Sequence, residues 1–169
     1  MDNLTIITGN GKGKTTSAIG LALGAYFEGK RVYFGQFMKG SDYSEIKALK
    51  EFFPEIYIEQ YSGGLILGKA PQEIDKITAQ KGLEQAISAI NSKKFDLVIL
   101  DEINVALFLE LIELADVLQM LKNTECEIIL TGRYASPELL ALNPNKTYEM
   151  QQIKHYFNDG VGARVGIEM

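Results

Sequence analysis

The chain is poor in the residues that hold a fold together covalently or through a metal. Its 169 residues contain one cysteine, Cys126, and one histidine, His155. A single cysteine excludes an intrachain disulfide and a multi-cysteine zinc site, and suits a reducing compartment. A single histidine without partner His or Cys is expected to serve packing or hydrogen bonding rather than a metal or acid-base role. There is no basic surplus: 17 Lys plus Arg stand against 22 Asp plus Glu, a formal charge of -5. That excludes a nucleic-acid-coating protein, whose affinity rests on many phosphate-neutralising cations, but not one local cationic site. Long apolar runs are missing too. The stretch from Ile103 to Leu114 is interrupted by Glu110 and Glu113 and falls short of the ~20 apolar residues of a membrane span. The amino terminus has no basic region ahead of an apolar run, so no secretory signal is expected. Neither repeats nor linkers rich in Pro, Gly or Ser divide the chain. What remains is 46% hydrophobic and 23% charged, an ordinary globular balance. One soluble, cytoplasmic domain over residues 1–169 is the expectation.

Strand-like and helix-like patterns alternate. Leu4 to Thr8 is short and β-branched and runs into the glycines at 9, 11 and 13; a helical run follows from about Thr15, stopping at Gly29. Arg31 to Phe37 reads as a strand, Ser44 to Phe53 as a helix ended by Pro54, and Ile56 to Tyr61 as a strand. Residues 62–71 hold three glycines and a proline and read as a loop. Gln72 to Ser92 is a long helix with Leu83, Ala86, Ile87 and Ile90 on one stripe. Asp96 to Leu100 and Glu127 to Thr131 are short apolar strands of the kind buried on both faces, with helical pattern between them through Leu121. Ser136 and Pro137 open a short helix, and Lys146 to Ile153 and Gly162 to Ile167 are the last strands. Such alternation predicts an α/β fold with a mostly parallel central sheet between helix layers. Ligands of such sheets bind at the carboxyl ends of the strands. The Gly9–Thr16 loop and the residues after Leu100 and Leu130 are therefore expected around one site.

Three motifs carry chemistry. The first is Gly9-Asn10-Gly11-Lys12-Gly13-Lys14-Thr15-Thr16, between a strand and a helix. A polyphosphate needs close backbone N–H donors, a helix N-terminus, a lysine and a hydroxyl for Mg²⁺, and these appear here in that order. The usual G-x-x-x-x-G-K-[ST] spacing would put the first glycine at Thr8, so this phosphate loop is one residue short. The second is the apolar strand ending in Asp101-Glu102, two acids that can hold Mg²⁺ or its water shell opposite the phosphates; either could touch the metal. The third is Thr131-Gly132-Arg133, where Arg133 can neutralise charge on a phosphate leaving group or sit in a structural ion pair. No protein nucleophile can be assembled, which fits a second substrate that brings its own.

Together with Gln36-Phe37-Met38-Lys39-Gly40, Asp101-Glu102-Ile103-Asn104 and the tail from Lys154 to Met169, these motifs resemble the ATP:corrinoid adenosyltransferases, in family order and over nearly the whole chain. The resemblance implies a three-layer α/β/α, RecA-like P-loop fold, a homodimer and a flavoprotein reductant. It implies transfer of the 5′-deoxyadenosyl group of MgATP to the Co(I) of a reduced corrinoid, in adenosylcobalamin synthesis or salvage, with release of triphosphate. On this model Lys14, Glu102 and Arg133 serve catalysis and residues 9–16 hold the ATP phosphates. Thr15 with Asp101 or Glu102 serves Mg²⁺. Family members commonly carry Gly-Phe-Thr-Trp, whose rings pack on the corrin, where this chain has Gly64-Leu65-Ile66-Leu67. Gly64, Leu65 and Leu67 would keep an apolar corrinoid face without the rings. The rival expectations are a P-loop phosphotransferase or NTPase giving ADP, and a non-catalytic ATP-binding module.

Overall fold

The computed structural model describes residues 1–40, 43–63, 70–122 and 124–154. Twelve elements follow one another within them: β1 (Leu4–Thr8), α1 (Lys14–Phe27), β2 (Val32–Phe37), α2 (Ser44–Phe52), β3 (Tyr57–Tyr61), α3 (Glu73–Asn91), β4 (Leu97–Asp101), α4 (Ile103–Phe108), α5 (Leu114–Lys122), β5 (Glu127–Thr131), α6 (Pro137–Leu140) and β6 (Lys146–Glu149). The strands form one sheet in the order β3-β2-β4-β5-β1-β6, and every pairing in it is parallel. A parallel sheet needs helical crossovers, which cover both faces and force apolar residues onto both. Two separate cores result. Leu4, Ile6, Tyr33, Val98, Leu100, Ile128 and Leu130 pack with α3, α4 and α5. Ile7, Val32, Phe34, Leu97, Ile99 and Ile129 pack with α1 and α2. This is the three-layer α/β architecture that the alternating pattern predicts.

Element boundaries follow local chemistry. Helix α1 starts one residue earlier than its pattern suggests, at Lys14, because Gly13 turns the chain in the left-handed region with φ 102°. Gly29, at φ 78°, ends that helical segment as expected. Ser136 caps α6, its hydroxyl accepting from Leu139 N at 3.2 Å. In α3, Gln72 and Asp75 form a capping box. The helical run expected between β4 and β5 is instead two helices. Glu110 takes a positive φ of 55° between them, and Leu111 N donates to Ala106 O at 2.9 Å to close the first. Strand β6 is shorter than expected, ending at Glu149. Cys126 precedes β5 and is only half-buried. His155 and the strand expected over Gly162 to Ile167 lie outside the described residues.

On the α3 face the edge strand β3 is pinned by one carboxylate. Glu59 accepts from Tyr33 at 2.8 Å, from Tyr57 at 3.2 Å and from Tyr61. Burial, then these hydrogen bonds, push the phenols of Tyr33 and Tyr61 well above their ordinary range, so both stay neutral donors. The carboxyl ends of the strands are left to build the site.

Candidate active site

Strand alternation decides which polar groups meet at the carboxyl ends. Gln36 lies opposite Asp101 on one side and Gln60 on the other, and Thr131 is one residue beyond the Leu100–Leu130 pair. All four side chains therefore rise on the α1 face, where they form a ladder across β3, β2, β4 and β5. Lys50 Nζ donates to Gln60 Oε1 at 3.0 Å, and Gln60 Nε2 to Gln36 Oε1 at 2.9 Å. Gln36 Nε2 donates to Asp101 Oδ2 at 2.9 Å, and Thr131 Oγ1 to Asp101 Oδ1 at 2.6 Å. Gln36, Asp101 and Thr131 are all 0% exposed, so this buried polar row stands only because each member is bonded.

The phosphate loop leads from β1 into α1 beside this row. Lys14 is buried, and its ammonium donates to Gly9 O at 2.8 Å and Gly11 O at 2.7 Å, which holds the loop as a ring. Burial lowers the Lys14 pKa; nearby Glu102 opposes this, while Arg133 and Lys39 add to it. Thr15 Oγ1 donates toward Asp101, 3.1 Å from Oδ1 and 3.2 Å from Oδ2. Asn10, Lys12 and Thr16 are exposed on the loop's outer side. Gly13 needs its positive φ and meets nothing where a Cβ would sit. Gly9 and Gly11 are needed for a reason the sequence did not suggest. A Cβ on Gly9 would lie 2.5 Å from Met150 O, and one on Gly11 2.7 Å from the same atom. The chain just past β6 straps the loop, with Met150 N donating to Thr8 O at 2.8 Å and Gly11 N to Met150 O at 2.6 Å. Gly11→Ala must shift this strap, and about 1–3 kcal/mol of stability should be lost in a denaturant titration. An unchanged midpoint would mean the strap yields freely.

The two acids after β4 diverge. Asp101 is the last strand residue and wholly buried. Glu102 takes the left-handed conformation at φ 62°, a rare state for a residue with a Cβ. Its N–H donates to Thr131 Oγ1 at 3.0 Å, and its side chain stays 18% exposed. Burial, then the neighbouring Asp101, raise the Glu102 pKa, against the pull of Lys39, Lys14 and Arg133. The folded state thus binds this proton more tightly than the unfolded chain does. Glu102 adds stability below the ordinary carboxylate pKa and loses it as pH rises through its raised value. Glu102→Gln should therefore melt higher than the parent at pH 7 in EDTA, with the gain vanishing toward pH 4. Equal melting at both pH values would contradict this environment.

Next to Thr131, Gly132 takes φ 129°, and a Cβ there would lie 3.0 Å from Asn104 Cβ. Asn104 Nδ2 donates to Gly132 O at 3.2 Å, tying α4 to the turn that carries Arg133. Arg133 is exposed, and its charge reaches both Lys14 and Glu102. The structure thus gathers Gly9, Gly11, Gly13, Lys14, Thr15, Asp101, Glu102 and Arg133 at one end of the sheet. Gly64, Leu65 and Leu67 lie outside the described residues.

Lys39 joins them with no role foreseen. Met38 N donates to Tyr61 O at 2.9 Å and Lys39 N to Phe37 O at 2.8 Å. With Met38 at φ 65°, this turn sends the Lys39 side chain across the ends of β2 and β4. The ammonium donates to Thr15 Oγ1 at 2.8 Å. It lies 3.5 Å from Asp101 Oδ2 and 3.7 Å from Glu102 Oε1. A lysine following an apolar strand at the ligand-binding end was the available signal.

A parallel α/β sheet with a lysine-bearing phosphate loop between β1 and α1, and with acids ending a neighbouring strand, is the arrangement of the P-loop nucleotide-binding class. Within that class, residues 2–169 match the family model described as ATP:corrinoid adenosyltransferase BtuR/CobO/CobP, and the chain belongs to that family. It is 30% identical to the corrinoid adenosyltransferase of Escherichia coli (strain K12), over 98% of this chain and 84% of that protein. It is 32% identical to the corrinoid adenosyltransferase of Pseudomonas aeruginosa, over 98% of this chain and 82% of that protein. It is also 36% identical to an uncharacterized protein of Nostoc sp., covering 99% of this chain but only 48% of that longer relative.

Proposed function

We propose that the chain is a corrinoid adenosyltransferase that moves the 5′-deoxyadenosyl group of MgATP to the cobalt of a reduced corrinoid and releases triphosphate. The observation that carries this is a phosphate site joined to family membership over residues 2–169. Displacement at C5′ needs no protein nucleophile and no general acid or base. The Co(I) electron pair forms the cobalt–carbon bond while the C5′–O bond breaks, and its pair leaves on the α-phosphate oxygen of triphosphate. Cobalt is formally oxidised to Co(III), and no proton need move. Catalysis then rests on holding the reactants in line and stabilising the leaving charge.

Lys14 and the loop amides from Gly9 to Thr16 would hold the triphosphate, and Arg133 is free to swing onto it from the rim. Thr15 and the two acids are hard oxygen donors of the kind Mg²⁺ takes, and they fit it. Bound there, Mg²⁺ would offset the negative charge of the triphosphate. Asp101 is already engaged by Gln36, Thr131 and Thr15, so it orients the hydroxyl, while the partly exposed Glu102 is the acid placed to reach the metal or its water. Gly64, Leu65 and Leu67 are assigned to the corrinoid face on the family resemblance, as are a homodimer, a flavoprotein supplying Co(I), and a cytoplasmic setting. No described helix is long and apolar enough to cross a membrane.

The test is anaerobic incubation with MgATP and chemically reduced cobalamin. Adenosylcobalamin should appear as a light-sensitive absorbance change, with one triphosphate per product resolved by anion exchange. ADP with no cobalt–carbon product would replace this reading with a phosphotransferase or NTPase.

A further inference from the structure

The ammonium of Lys39 stands where a divalent cation would. It contacts Thr15 Oγ1 at 2.8 Å and is flanked by Asp101 Oδ2 at 3.5 Å and Glu102 Oε1 at 3.7 Å. The two carboxylate distances exceed the usual range for a charge-assisted N–H···O bond. A lysine evolved to pair with one acid would close on it; this one sits between a hydroxyl and two acids and closes on neither. Its side chain is 22% exposed and Asp101's is 0%, and the Tyr43 ring lies 5.7 Å from the nitrogen. Burial is the largest single influence on the Lys39 ammonium and works against its charge, but Asp101, Glu102 and Glu45 together outweigh it and raise its pKa. The turn carrying it is anchored by two backbone hydrogen bonds, so only the side chain needs to move.

Geometry forbids sharing. Mg²⁺ draws its oxygen ligands to about 2.1 Å, inside the space the ammonium fills. We infer that Lys39 is a resident cation of the nucleotide-free site, which holds Thr15, Asp101 and Glu102 together until MgATP enters and then transfers its charge to the triphosphate. Thr15 is the second residue of α1, directly after Lys14, so a short swing from its hydroxyl carries the ammonium over the phosphate loop. The inference rests on the assignment of Mg²⁺ to Thr15 and Glu102. It makes metal binding and nucleotide binding cooperative: without ATP the metal must expel the ammonium to a place beside only the Tyr43 ring and the charge of Glu45 among the described residues, whereas with ATP the ammonium gains the triphosphate.

Binding of Mn²⁺ alone to the nucleotide-free protein, followed by the paramagnetic resonance of the free ion, tests this. The parent and Lys39→Arg should bind Mn²⁺ weakly, and Lys39→Met should bind it at least about tenfold more tightly. The same methionine variant should bind ATP in EDTA at least about fivefold more weakly. Tightening of Mn²⁺ is a change that a merely structural lysine would not produce on removal. Mn²⁺ affinity in Lys39→Met within twofold of the parent would overturn the inference; Lys39→Gln makes the same comparison if the methionine variant does not fold. Glu102→Gln separates the two levels. If it leaves Mn²⁺ binding in the presence of ATP unchanged, the metal assignment itself fails. If it abolishes that binding while Lys39→Met behaves as the parent, only the Lys39 inference fails.

Discussion

Lys14→Ala is expected to lower kcat/KM for adenosyl transfer by roughly 10³-fold, about 4 kcal/mol of transition-state stabilisation. Two roles converge on this ammonium. It closes the loop through the carbonyls of Gly9 and Gly11, and on the proposed function it is the buried positive charge that meets the triphosphate. Losing the first leaves two carbonyls without that donor, a cost of about 1 kcal/mol each that nearby water partly restores. Losing the second removes stabilisation that grows as the C5′–O bond breaks, so kcat should fall further than ATP affinity. Lys14→Arg should rescue little, because a planar fork cannot reproduce the point charge that fits between two carbonyls of a tight loop. There is also a pH signature. Burial lowers the Lys14 pKa below 10.5, so ATP affinity should begin to fall at a lower pH than for a free lysine as the solution is made alkaline. That fall should be absent in the alanine variant. Transfer at near-parental rate in Lys14→Ala, with the protein folded, would remove Lys14 from the chemistry.

Much of this site could be read in the chain, and the unread parts share a cause. The phosphate loop was legible because its residues are contiguous and flanked by a short apolar strand and a helix. The Asp101-Glu102 pair was legible as two acids but not as two roles. Alternation in β4 sends Asp101 into the α1 face, and the left-handed turn at Glu102 turns the next side chain elsewhere; no local pattern announces a positive φ on a glutamate. Gln36 and Lys39 stand out in the chain only within the Gln36–Gly40 motif, although a glutamine inside the otherwise apolar β2 is itself a signal that a buried partner exists. Gln60 belongs to no motif. The strap at Met150 was illegible for another reason. It depends on the parallel pairing of β6 with β1, about 140 residues apart in sequence, and only that register explains why Gly9 and Gly11 tolerate no side chain. The break between α4 and α5 was hidden because no glycine or proline marks it. Tertiary packing, not propensity, ends α4 at Phe108.

Asp101→Asn should cost about 2–4 kcal/mol of stability and at least about a hundredfold in activity, far more than the loss of one surface charge. The reason lies in the direction of the ladder. Lys50 can only donate, so Gln60 must present its oxygen to it and its amide group to Gln36. Gln36 must then present its own amide group to Asp101, and position 101 can only accept. A carboxylate does so with both oxygens. An asparagine must turn its NH₂ either toward Gln36, setting two donors against each other, or toward Thr131, whose hydroxyl already accepts from Glu102 N and would lose the acceptor for its own proton. In either orientation one buried polar group goes unpaired and Lys39 loses a flanking charge. Thr15 loses the acceptor that aims its hydroxyl, which carries the damage to the Mg²⁺ position proposed there. A Tm within about 2 °C of the parent, a change under about 1 kcal/mol for a domain of this size, would show that the ladder can reverse its direction. The Lys50–Gln60 bond would then be a surface contact without influence on the site.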